Sequence, residues 1–264
     1  MFDCRRAIGA FWIVASSLAG SVTPARAADW VVGANIGNVP WEFQDAQGRF
    51  VGFEIDLVNE VARRTGHRAT VENIPFNGLF AAVASGRIQI AISSITVTPL
   101  RLQTLAFSQP YYDSDQSLSV LRASRINALP DLAGKTVGVD TASTGDIWAT
   151  ANTAKYRIAG ISRYEGLAPA MLDLAAGRID GYLSDLPAVA YYIKDKPQYR
   201  VAARVATGER YAFMASKRFA DLGVVNDALS AMKKDGFVAA THQKWFGAPA
   251  PAGSSTAMVR DMPR

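Results

Sequence analysis

The chain has 264 residues, 49% of them hydrophobic and 19% charged, with a formal net charge of +5, one cysteine and two histidines. Such a composition excludes disordered and fibrous classes, and the length supplies one large or two medium lobes with cores of their own. Cys4 and the isolated His67 and His242 argue against a disulfide framework or a zinc centre, and the Lys and Arg residues are scattered rather than clustered as a nucleic-acid footprint requires.

At the N-terminus, Arg5 and Arg6 precede an apolar run from Ala7 to Ala19, and Pro24-Ala25-Arg26-Ala27 places small residues where a signal peptidase reads. This pattern predicts a cleaved signal peptide over residues 1–27. The run of roughly 13 apolar residues is too short for a membrane span, which needs ~20. Ser21 stands where a lipid anchor would need cysteine, so the mature chain is expected free in the periplasm. Cleavage removes Arg5, Arg6, Arg26 and Asp3, which takes the net charge from +5 to +3, and it removes Cys4 with them.

Beyond Trp30 the apolar pattern switches period repeatedly. Val31-Val32 reads as a strand; Ile55, Leu57, Val58, Val61 and Ala62 form one helix face ending at Gly66; Val71 is strand, Leu79 to Val83 helix, and Ile88 to Ile92 a buried strand. Further segments follow at 136–139, 158–161, 167–176 and 179–183, with a helix beyond Asp185. This alternation predicts an α/β fold with mainly parallel sheets. After Gly247 no periodicity survives among Pro249, Pro251, Gly253, Ser254 and Ser255, and residues 248–264 are expected to be a disordered tail.

One segment echoes another. Ser85-Gly86-Arg87-Ile88 through Ser93-Ser94 is matched by Ala176-Gly177-Arg178-Ile179 through Ser184-Asp185, a helix stop, a strand and a polar exit in each case. Ligands of open α/β sheets bind beyond the carboxyl ends of strands, so the two exits are candidate walls of one cleft between two similar lobes. The first exit continues through Thr96 and Thr98 to Arg101, a set of hydroxyls and a guanidinium suited to a carboxylate. The second offers Asp185, suited to an ammonium. An α-amino acid would satisfy both walls, although Arg101 could equally make a surface ion pair and Asp185 could cap the helix containing Pro187.

The segments Pro40-Trp41-Glu42-Phe43, Gly52-Phe53-Glu54-Ile55-Asp56-Leu57, Phe76-Asn77-Gly78-Leu79, Thr96 to Arg101, Phe107 to Tyr112, Asp131 to Val139 and Lys244-Trp245-Phe246-Gly247 resemble, in order and spacing, the polar-amino-acid (family 3) periplasmic solute-binding proteins of ABC importers. The resemblance spans about residues 30–247. It implies a two-lobe periplasmic-binding-protein fold of type II, with lobe 1 over 28–110 and 212–247, crossing hinge strands at 111–115 and 207–211, and lobe 2 over 116–206. It also implies a monomer without cofactor or metal that closes on a small-molecule ligand and serves an inner-membrane ABC permease. By the same resemblance Arg101 clamps the ligand carboxylate, Ser94, Thr96 and Thr144 support it, Asp185 accepts the ammonium and Phe76 packs on the side chain. Trp41 packs beside the pocket or in the core.

Two positions depart from the family pattern. Asn35 stands where many members carry an aspartate for a cationic side chain, and Asn38 where an aromatic covers the ligand. Basic amino acids are disfavoured on this reading. No Gly-x-Ser-x-Gly elbow, phosphate loop or His-Glu-x-x-His motif points to an enzyme. The enzymatic branch that resembles these receptors, cyclohexadienyl dehydratase, needs a general acid that residues 186–194 do not supply beyond Asp185. A free receptor that docks on a membrane sensor is the other alternative.

Overall fold

The computed structural model describes Met1 and residues 29–264. The expected signal peptide lies outside the described residues apart from Met1. Among the described residues no helix is long and apolar enough to cross a membrane.

Two five-stranded sheets organise the chain. In the first, Trp30–Ala34 runs parallel to Ala69–Asn73 on one side and to Ile90–Ile92 on the other, and Met214–Ser216 then joins antiparallel between Ile90–Ile92 and Leu105–Phe107. The second places Gly181–Asp185 beside Thr136–Asp140 and Gly160–Tyr164 in parallel. Its other edge is antiparallel, with Tyr112–Leu121 between Gly181–Asp185 and Tyr199–Tyr211. Helices cover the sheets, as periodicity predicted: Phe53–Arg64 buries Ile55, Leu57, Val58, Val61 and Ala62 on one face.

The echoed segments occupy equivalent places. Each follows a nine-residue helix, Phe76–Ala84 or Leu167–Ala175. The chain then turns at Gly86 or Gly177, both with positive φ (79° and 71°), a conformation that costs a side-chain-bearing residue energy. Ile88 and Ile179, 1% and 3% exposed, lead into a strand that lies third of five in the first sheet and third of five in the second. The residues at the ends of both strands, Ser93-Ser94 and Ser184-Asp185, face one shared space between the lobes.

The chain passes between the sheets twice, after Phe107 and again before Met214. The passing strands pair with each other, with Tyr112 opposite Tyr211, Asp113 opposite Arg210 and Ser114 opposite Glu209. Trp41 is fully buried where they meet. Its ring stands edge-on to Tyr112 (centroids 4.5 Å apart), Tyr211 (5.4 Å) and Phe53 (5.6 Å), while Tyr112 and Tyr211 stack at 5.8 Å. Of the two places sequence allowed for Trp41, it takes the core.

The disordered tail expected over residues 248–264 is corrected by the structure. Ser255 and Thr256 are buried. Ser255 donates its N–H (2.8 Å) and its hydroxyl to the Asp113 carboxylate, and the Thr256 hydroxyl donates to the carbonyl of Tyr111 at 2.9 Å. Beneath them Lys233 Nζ donates to Gln109 Oε1 (2.8 Å) and to the carbonyls of Pro110 (2.6 Å) and Met258 (3.1 Å). Burial, with Arg260 nearby, pulls that ammonium down to about 7. The segment is attached by polar bonds at isolated positions, so it has no apolar period to read.

Trp41→Ala should destabilise the protein by about 3–5 kcal/mol, since a large buried ring is lost between rigid neighbours. Urea unfolding followed by circular dichroism would register this as a lower midpoint. A loss below about 1 kcal/mol, the range of surface substitutions, would mean that the strands meet without it.

Candidate functional site

Between the lobes lies a cavity of about 220 Å³. All eight residues singled out from sequence line it: Asn35, Asn38, Phe76, Ser94, Thr96 and Arg101 on one side, Thr144 and Asp185 on the other. Asn35 and Asn38 follow the strand Trp30–Ala34, Phe76 opens its helix, Thr144 opens Thr144–Tyr156, and Asp185 ends Gly181–Asp185.

The first wall is shaped by two buried acids. Ser93 and Ser94 leave their strand with φ of 151° and 50°, conformations that L-residues seldom adopt. The Glu54 carboxylate accepts the Ser94 N–H with both oxygens (2.9 and 3.1 Å) and also accepts the Tyr111 hydroxyl. Glu42 Oε1 accepts from Ser93 Oγ at 2.8 Å and from Asn38 Nδ2 at 3.1 Å, while Ser93 Oγ accepts the Asn35 N–H at 2.8 Å. Both acids are wholly buried. Burial raises them both, Glu42 well above the usual range with the Glu54 charge adding to it. The turn therefore rests on a pair of desolvated carboxyl groups, and it carries Asn35, Asn38 and Ser94 with it.

Arg101 sits in the short helix Pro99–Leu102, which begins where Thr98 Oγ1 accepts the Arg101 N–H at 3.2 Å and Pro99 sets the first turn. The guanidinium lies 4.9 Å from the Phe80 ring centre and 5.8 Å from that of Phe76. It donates to the carbonyl of Thr96 (2.7 Å) and, across the cleft, to that of Ala142 (3.3 Å). Burial pulls it down to about 10 against the opposing pull of the Asp185 and Glu209 charges. A guanidinium has five N–H groups, so three stay available to a ligand carboxylate. This geometry excludes the surface ion pair that sequence allowed.

Asp185 begins the helix Leu186–Ile193 but makes no side-chain capping bond. Its carboxylate instead accepts from the Tyr211 hydroxyl at 2.6 Å and from Gln116 Nε2. Burial pushes Asp185 up to about 7, the Glu209 charge adds to that, and the two hydrogen bonds oppose it. An incoming ammonium would favour its ionised form.

Sequence reasoning missed further acids. Asp140 and Glu165 also line the cavity. Tyr182 donates to Asp140 Oδ2 at 2.8 Å, and burial, with Glu165 contributing, pushes Asp140 up to about 6. Asp140 ends the strand Thr136–Asp140, so the strand-end argument applied to Asp185 would have reached it. Gln116 and Glu209 belong to the passing strands, whose sequence signals nothing of the kind.

A carboxyl held near 7 in the fold but near 3.8 in the unfolded chain stays protonated in the fold while the unfolded chain ionises. Its contribution to stability is intact below the unfolded value and is lost as pH rises toward the folded one. The melting-temperature difference between Asp185→Asn and the wild type should therefore be more positive at about pH 8 than at about pH 4.5. Calorimetry of the ligand-free proteins decides this, and a difference independent of pH would show that Asp185 does not titrate abnormally.

A family model described as bacterial extracellular solute-binding proteins, family 3, matches residues 30–248. The L-cystine-binding protein TcyJ of Escherichia coli (strain K12) is 29% identical over 213 residues, 79% of each chain. The lysine/arginine/ornithine-binding periplasmic protein of the same organism is 30% identical over 234 residues, covering 81% of this chain and 86% of its own. Among solved structures, an ancestral arginine-binding protein bound to arginine aligns with a TM-score of 0.79 at 29% identity, covering 84% of this chain and all of the other.

Proposed function

Since the chain belongs to the family 3 bacterial extracellular solute-binding proteins, we propose that it captures an α-amino acid in the cavity between its lobes and delivers it to an ABC importer permease in the inner membrane. One observation carries this reading. Arg101, with three N–H groups unspent, and Asp185, with no capping duty, line one cavity from different lobes. A ligand holding both a carboxylate and an ammonium bridges the lobes, and because it contacts both it stabilises the closed arrangement over the open one. The relatives are binding proteins by name, which supports a receptor over a dehydratase. The receptor works in the periplasm, behind the signal peptide expected at residues 1–27.

The expectation against basic ligands rests on Asn35 alone. Asp140 and Glu165 stand on the other wall, so the cavity lining holds three carboxyl groups with Asp185 against one guanidinium. A cationic side chain finds its counter-charge there, and basic amino acids stay within the proposed class.

Calorimetric titration of Arg101→Ala, Arg101→Lys and Asp185→Asn tests the assignment. Arg101→Ala should abolish binding and Arg101→Lys restore little of it, since an ammonium cannot make two parallel bonds to a carboxylate. Asp185→Asn should cost about 2–5 kcal/mol toward an amino acid and far less toward its deaminated analogue. Equal losses for both ligands would remove Asp185 from the ammonium site, and binding of no amino acid by the wild type would end the receptor reading.

A further inference from the structure

Glu209 is absent from the cavity lining, yet its carboxylate makes contact with both lobes. It stands on the returning strand Tyr199–Tyr211, just after an irregularity in pairing: Val205 faces Gln116 and Glu209 faces Ser114, so four steps on one strand match two on the other. The extra residues form a bulge. Gly208, at φ 62°, supplies the left-handed turn, and its N–H donates to Asp115 Oδ1 at 2.8 Å. Arg204 Nε donates to the other Asp115 oxygen at 2.6 Å, and Thr207 Oγ1 accepts the Gln116 N–H at 3.2 Å. This bulge turns Gly208 and Arg210 outward and Glu209 inward, to 6% exposure.

Once inside, Glu209 Oε2 lies 2.8 Å from Thr96 Oγ1 of the first lobe and 3.1 Å from Thr144 Oγ1 of the second. Gln116 Nε2 lies 3.0 and 3.1 Å from its two oxygens and also donates to Asp185 and, at 3.1 Å, to Thr144 Oγ1. A carboxylate has no proton to give, so both threonine hydroxyls must donate to it. Their protons are then committed away from the cavity, and each Oγ1 can only accept there, Thr144 with the one lone pair that Gln116 leaves it. Ser94 differs: its Oγ accepts from Asn38 Nδ2 at 3.0 Å, which leaves its proton free to donate.

We propose that Glu209 is a positioning residue which, by taking the hydroxyl protons of Thr96 and Thr144 together, sorts the cavity into a donor end and an acceptor end. Ser94 and Arg101 form the donor end and receive the carboxylate. The hydroxyl oxygens of Thr96 and Thr144, with Asp185, form the acceptor end and receive the ammonium. This moves the two hydroxyls, and not the backbone N–H of Thr144 at the start of its helix, from the carboxylate side, where resemblance placed these residues, to the other side. Because one oxygen holds a hydroxyl from each lobe, the acceptor end is complete only when the lobes are together. The inference rests on the amino-acid receptor reading above and deepens it.

Glu209→Gln keeps the shape but places an amide N–H among groups that all donate, so one hydroxyl must reverse. The probes are L-arginine and L-glutamine, each paired with the acid that lacks its α-ammonium, 5-guanidinopentanoic acid and 4-carbamoylbutanoic acid. For whichever amino acid the wild type binds, Glu209→Gln should weaken binding by about tenfold or more, the scale of a hydrogen bond to a charged group, and change the deaminated partner by less than about threefold. Thr144→Val, which leaves the returning strand untouched, should give the same selective loss, and the double variant should lose less than the product of the two. Melting of each ligand-free variant separates a folding defect from a binding one. Equal losses for amino acid and analogue, or independent effects of the two substitutions, would overturn the assignment while leaving the receptor intact. If the wild type bound neither amino acid nor any other in a wider panel, the receptor reading would fall, and this inference with it.

Discussion

The first wall of the cavity depends on the bond from Ser94 N–H to the buried carboxylate of Glu54. A strand leaving a sheet ordinarily keeps negative φ, and two successive serines at positive φ persist only because surrounding groups over-determine them. Glu54 grips one, Glu42 the other, and each acid belongs to a segment that packs elsewhere, Glu54 to the helix Phe53–Arg64 and Glu42 to the loop beside Trp41. The core of the first lobe thus reaches the cavity through two carboxyl groups. Replacing either by an apolar residue would leave an N–H or hydroxyl buried without a partner.

Charge is arranged with the opposite economy on the two sides. Arg101 is buried, its hydrogen bonds end on carbonyl oxygens, and among the described residues no carboxylate takes up its charge at bonding distance. A buried cation in that state is costly, and a ligand carboxylate offsets the cost. Across the cavity burial pushes Asp185 and Asp140 up, with the Glu209 and Asp140 charges adding to the effect on Asp185 and the Glu165 charge to that on Asp140. Each side lacks what a zwitterion carries, and the protein holds both deficits on one cavity without letting them cancel directly.

Much of this was legible in the sequence. Alternating periods located the strands that carry the site, and the echo between 85–94 and 176–185 located the two strand ends that face each other. Chemistry at those ends, hydroxyls and arginine against aspartate, named residues that do line one cavity. What stayed hidden shares a physical cause. Glu42 and Glu54 act from within the core, Gln116 and Glu209 from strands whose pairing is broken by a bulge, and Ser255 and Thr256 through isolated polar bonds. None of these depends on spacing along the chain, and spacing is what periodicity measures. Asp140 is the exception, since it ends a strand and could have been reached by the rule already in use. Asn35 speaks for one wall only, and the carboxyl groups of the facing wall come from residues more than a hundred positions away, Asp140, Glu165 and Asp185.

The packing of the last residues bears on how such a receptor can evolve. A ligand that fits only the closed form has an apparent affinity that includes the free energy of closing. Tyr111 and Asp113 lie where the chain first passes between the sheets, and Ser255 and Thr256, which are absent from the cavity lining, hold both. On the proposed receptor reading, a substitution in that short segment would act on the passing strand while leaving the residues that line the cavity in place. Affinity and selectivity would then be separable, one adjustable at the passing strands and the other at the cavity, and a segment that looks expendable in sequence would be a place from which binding strength could drift without any change in what is bound.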